Sequence, residues 1–156
     1  MELVALTEYN EDLVNKLGIF EQNANIKIPF MDKIAKIVTN KKKKGSNTEL
    51  SDLVYTLKNG EINNLCYLKG NSDNRLIELE ILNINEQHKR SNLNFTEAAT
   101  NYAFTALNAE TVTIFSNDFS DADLISIGYE PLGEYKGKNT YVKDREKQVE
   151  SGAIRK

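Results

Sequence analysis

Apolar and polar residues change their rhythm along this chain, and the changes mark its elements. Through the middle the pattern is short and extended. Residues 53–57, 62–68 and 76–84 are rich in Leu, Ile, Val and Tyr and are bounded by turn residues, which predicts three strands. Asn59-Gly60 separates the first two; both residue types accept positive φ, as a tight hairpin needs. The cluster Gly70-Asn71-Ser72-Asp73-Asn74 separates the second from the third. In the third strand Ile77, Leu79 and Ile81 fall on one face. Glu78 and Glu80 fall on the other, in line with Leu76, Leu82 and Ile84. Two carboxylates therefore share an otherwise apolar face.

On both sides of this meander the period lengthens. Residues 3–7 read as a first strand. Asn10 caps a helix carrying Leu13, Val14 and Leu17, stopped by Gly18. A second helix opens at Pro29 and repeats Phe30, Ile34, Ile37 and Val38 at steps of three and four. After the meander comes the clearest helix. Its stripe is Phe95, Ala98, Ala99, Tyr102, Ala103, Ala106 and Leu107, with Asn94 as cap and Glu97 completing a capping box. Then follow a strand at 111–115, a short helix at 120–127, and a hairpin of 130–135 and 140–143 about the turn Lys136-Gly137-Lys138-Asn139. No internal repeat interrupts this series. The order β-α-α-β-β-β-α-β-α-β-β predicts an α/β (α+β) domain. Its sheet is mixed and mostly antiparallel, with helices on both faces. Residues 1–145 form that single domain and 146–156 a polar tail.

Length agrees with one domain: 156 residues can bury one substantial core. A net charge of −3 argues against a nucleic-acid footprint. The run Lys41 to Lys44 reads as a solvated connection. No apolar run approaches the roughly 20 residues of a membrane span, and Met1-Glu2-Leu3-Val4 has no signal-peptide layout. A cytoplasmic protein is expected. Cys66 is the only cysteine and His88 the only histidine, which argues against a zinc site and leaves no metal expected. His88 lies in a polar, charged stretch with no nucleophile motif beside it.

One spacing narrows the reading further. Asn117 follows the strand at 111–115, and Gly128-Tyr129 comes eleven residues later, just before the hairpin. This half of the chain resembles the carboxy-terminal half of the GCN5-related N-acetyltransferase family, and the element order is similar from near residue 3 to near residue 143. The resemblance implies acetyl-CoA as co-substrate, held in a cleft between the fourth and fifth strands. Cofactor contacts are implied for Leu82 and Ile84 on the fourth strand and for Asn117 beyond the fifth. A diphosphate loop is implied over Lys89, Arg90, Ser91, Asn92, Leu93 and Asn94, where amides at a helix start face an anion. Lys89 stands there in place of the family's Arg or Gln, and Asn92 and Asn94 in place of its glycines. Glu80, then Glu78, is the implied general base, since a carboxylate amid apolar neighbours suits a base working near neutrality. Many members carry a Tyr seven residues after the Asn as thiolate acid; here that position is Leu124. The implied acceptor is a small-molecule or peptide amine. The alternative is a non-catalytic module of the same fold that binds CoA or a protein partner. The last two strands offer an edge for a homodimer.

Overall fold

The computed structural model describes residues 3–5, 49–71, 73, 75–83 and 89–145. The two helices expected at 10–18 and 29–38, the lysine run, Ile84, His88 and the tail at 146–156 lie outside the described residues. Seven strands form one sheet: β1 (Val4–Ala5), β2 (Glu49–Lys58), β3 (Glu61–Asn71), β4 (Leu76–Asn83), β5 (Thr111–Phe115), β6 (Glu130–Tyr135) and β7 (Lys138–Asp144). Helix α1 (Lys89–Thr105) connects β4 to β5, and the short helix α2 (Asp121–Ser126) connects β5 to β6. The strand order is β1-β2-β3-β4-β5-β7-β6. Every neighbouring pair is antiparallel except β4–β5, which is parallel. This is the mixed, mostly antiparallel sheet that the pattern predicts.

Turn chemistry sets the hairpins. Asn59 (φ 54°) and Gly60 (φ 80°) make the two-residue turn between β2 and β3. Lys136 (φ 52°) and Gly137 (φ 81°) make its counterpart between β6 and β7. Two successive positive φ values give a turn whose twist matches that of the strands it joins.

Helix α1 packs on β3, β4 and β5. Phe95, Ala99 and Ala103 enter one core with Cys66, Leu79 and Ile114, and all six are buried. Alanine at two of these positions lets the helix axis come close to the sheet, so that Phe95 fills the space between. Burying a side chain of that size is worth roughly 1.5–3 kcal/mol.

The helix departs from its predicted form in two ways. It starts at Lys89, so Asn94 sits in its second turn and is not a cap. Its buried face also includes Asn92, Thr96 and Thr100, while Ala106 is exposed. Threonine can face this core because its hydroxyl is satisfied within the helix. Thr96 Oγ1 donates to the Asn92 carbonyl at 2.9 Å, and Thr100 Oγ1 to the Thr96 carbonyl at 2.7 Å.

Candidate functional site

The parallel pair β4–β5 begins in register at Leu76 and Thr111 and ends at Leu79 and Ile114. β4 continues to Asn83, and beyond Leu79 no β4 residue is registered with β5. The two strands part at their carboxyl ends. In open α/β sheets, that end of parallel strands is where ligands enter. A cleft of about 660 Å³ occupies the gap, within the ~300–1,000 Å³ of small-molecule sites.

Glu78, Glu80 and Leu82 line this cleft from β4, and Asn117 lines it beyond β5. Four of the predicted site residues thus meet in one place. The sheet also brings in residues that sequence reasoning missed. Tyr67 and Lys69 face the cleft from β3, where Tyr67 pairs with Glu80 and Lys69 with Glu78. Phe115, Asp118, Phe119 and Lys138 complete its far wall. Glu78, Glu80 and Asp118 bring three carboxylates to the cleft lining, and Lys69 and Lys138 bring two ammonium groups. Glu80 is exposed, Glu78 half-buried and Tyr67 only 6% exposed.

No signal in β3 marks Tyr67. Leu65-Cys66-Tyr67-Leu68 is an unbroken apolar run, which describes a strand buried on both faces and labels neither. Its face follows only from the register with β4.

Residues 89–94 do not line the cleft. They form the first turns of α1, not a loop ahead of it. Lys89 and Arg90 are exposed, whereas Asn92 and Leu93 are buried. Asn92 Oδ1 accepts from Asn64 Nδ2 at 3.0 Å, and Asn64 Oδ1 accepts from Thr56 Oγ1 at 3.0 Å. The Asn92 side chain therefore ties the helix start to the β2–β3 hairpin, where a glycine could not. Ser91 borders a second hollow, of about 390 Å³, with Thr56, Lys58 and Asn63. The helix start and this hollow lie at the carboxyl end of β4.

Asn117 has two hydrogen bonds to the final hairpin. Its Nδ2 donates to the Gly137 carbonyl at 2.9 Å, and its Oδ1 accepts from the Asn139 amide at 3.0 Å. It fixes the end of β5 against the β6–β7 turn, next to Lys138 at the start of β7. Helix α2 then begins with a capping box, Ser120 with Asp123. It ends in a Schellman motif: the Tyr129 amide donates to the Leu124 carbonyl and the Gly128 amide to the Ile125 carbonyl, both at 3.0 Å. Gly128 has φ +100°, and a Cβ there would lie 2.7 Å from Lys143 Cε. That bare backbone lets Lys143 cross to donate from Nζ to the Ile127 carbonyl at 2.8 Å. Burial lowers the Lys143 pKa, while Glu97 pulls it back up.

Leu124 is wholly buried in the core. The remaining described phenols are engaged or lie away from the cleft. The Tyr129 hydroxyl is paired with Thr100 Oγ1, and its pKa is raised chiefly by burial. Tyr141 donates to Asp121 Oδ1 at 2.6 Å; burial first, then Asp121, push its pKa up to about 12. Tyr102 donates to Asp52 Oδ2 at 2.6 Å. Tyr135 is exposed beside Phe115. Tyr55 is half-buried on β2 and is not in the cleft wall.

No family model and no curated protein matches the chain. Solved structures do. A spermidine N-acetyltransferase SpeG chimera from Vibrio cholerae and hSSAT has a TM-score of 0.67 at 15% identity, covering 96% of this chain and 99% of that one. GCN5 from Tetrahymena has a TM-score of 0.57 at 16% identity, over 92% and 96% of the two chains. The Campylobacter jejuni N-acetyltransferase PseH has a TM-score of 0.58 at 13% identity, over 92% and 97%. With its strands parting beside a helix start and its Asn-to-Gly connection into a closing hairpin, the chain has the fold of the GCN5-related N-acetyltransferases.

Proposed function

We propose that this protein transfers an acetyl group from acetyl-CoA to an amine. The observation that carries the reading is the parting of β4 from β5 after Leu79, which opens the cleft beside Glu78 and Glu80. A gap between two strands accepts an extended, amide-bearing arm as a sheet edge accepts a strand. The pantetheine arm has that form. Leu82, Phe115 and Phe119 offer it apolar contact, and Asn117 and Ser116 polar contact. Lys89, Arg90 and the first-turn amides of α1 would hold the diphosphate beyond the cleft.

Glu80 serves as general base, with Glu78 one step behind it on the same face of β4. The base takes a proton from the acceptor so that nitrogen can attack the thioester. Backbone groups of β4 polarise the thioester carbonyl. The three carboxylates around the cleft favour a cationic acceptor. Spermidine is the first to try, because several structural neighbours are spermidine N-acetyltransferases.

The test is CoA thiol release from acetyl-CoA across a panel of amines. Glu80→Gln is expected to slow release by roughly a hundredfold or more while CoA binding stays intact. Equal release in the variant would remove Glu80 from the mechanism. A second reading, a module that binds CoA without transfer, is supported by Leu124 at the usual acid position. Binding without release from any amine would select it.

A further inference from the structure

The geometry points to Tyr67 as the acid that returns a proton to the departing thiolate, in place of the phenol missing at position 124. This rests on the transferase reading above. Among the described residues, Tyr67 is the one tyrosine in the cleft wall. It pairs directly across the ladder with Glu80 and shares its face, so the two Cβ atoms lie roughly 5 Å apart. The other described phenols lie outside the cleft wall. Tyr67 is nearly buried.

The proton balance closes between these two neighbours. An acceptor that arrives as ammonium first loses its extra proton to solvent, and Glu80 takes the second nitrogen proton as the C–N bond forms. The tetrahedral intermediate collapses, the C–S electron pair moves to sulfur, and the Tyr67 hydroxyl gives its proton to that sulfur. A carboxylic acid and a phenolate then stand side by side on one sheet face. Proton transfer from Glu80 to Tyr67 restores both groups, with no further reactant.

Tyr67→Phe keeps the ring and removes the proton. Three measurements isolate its role. With acetyl-CoA, the variant should release thiol roughly a hundredfold more slowly. With the acetyl ester of an acidic aryl thiol, whose thiolate leaves without a proton, the deficit should largely vanish. In calorimetry, wild type should prefer CoA over desulfo-CoA, and the variant should lose that preference. Equal slowing with both thioesters, an unchanged rate, or an unchanged preference would overturn the assignment. If wild type itself released no thiol from any donor, the transferase reading would fall first. Release by wild type with an unaffected variant would sink Tyr67 alone.

Discussion

Gly128 shows how much one residue can hold. Its positive φ closes α2, and its missing side chain lets Lys143 reach the last carbonyl of that turn. Gly128→Ala forces a Cβ into an unfavourable backbone region and against the Lys143 stem. Left-handed backbone costs about 1–2 kcal/mol for an L-residue, so the melting temperature should drop by roughly 2–8 °C. Thermal unfolding followed by circular dichroism checks this; an unchanged midpoint would deny the strain. This role was legible from the sequence, because a glycine after a short helix and before a hairpin has few other uses. Asn117 was legible in position only. Its spacing marked it, but its hydrogen bonds to Gly137 and Asn139 needed the folded hairpin. Tyr67 was not legible at all, for want of alternation around it.

At the scale of elements, strands and turns followed the pattern closely and the central helix did not. β5 has the predicted bounds and the Asn59-Gly60 turn falls where expected, whereas the final turn is shorter than the four residues expected, since β7 already begins at Lys138. Asn94 and Glu97 imitate a capping box, yet α1 begins earlier, at Lys89. The true anchor is a buried polar chain, Thr56 to Asn64 to Asn92, linking two strands to the helix start. Such long-range polar pairing leaves no periodic trace. Asn64→Leu would remove the bond to Asn92 and the acceptor used by Thr56. Losing satisfied buried hydrogen bonds costs about 1–3 kcal/mol, so the urea midpoint should drop. Acetyl-CoA should also bind more weakly as the helix start loosens. A variant as stable as wild type would mean the chain contributes nothing to fixing α1.

At the scale of the whole molecule, most of the described groups with shifted pKa values push stability the same way. Cys66, Tyr102, Tyr129 and Tyr141 each hold their proton more tightly when folded, first through burial. Each contribution is complete below the ordinary pKa, 9.0 for the thiol and 10.0 for the phenols, and is lost as pH climbs through the folded value. For Tyr141 that window runs from 10.0 to about 12. Lys143 acts in the opposite sense. Its folded pKa is lowered from 10.5, so the unfolded chain binds the proton better and stability rises with pH across that window. Four groups outweigh one. Urea midpoints should therefore fall between about pH 10 and pH 12, and Tyr129→Phe should flatten the decline. A midpoint that rose over this range would contradict the burial of these groups. No helix among the described residues is long and apolar enough to cross a membrane.

The central claim is that the gap between β4 and β5, together with the start of α1, receives acetyl-CoA. Calorimetric titration of the whole protein with acetyl-CoA tests it most directly. One saturable site is expected, displaced by free CoA and weakened several-fold in Lys89→Ala. No heat and no thermal shift at millimolar concentrations would contradict the account and leave a fold without its cosubstrate.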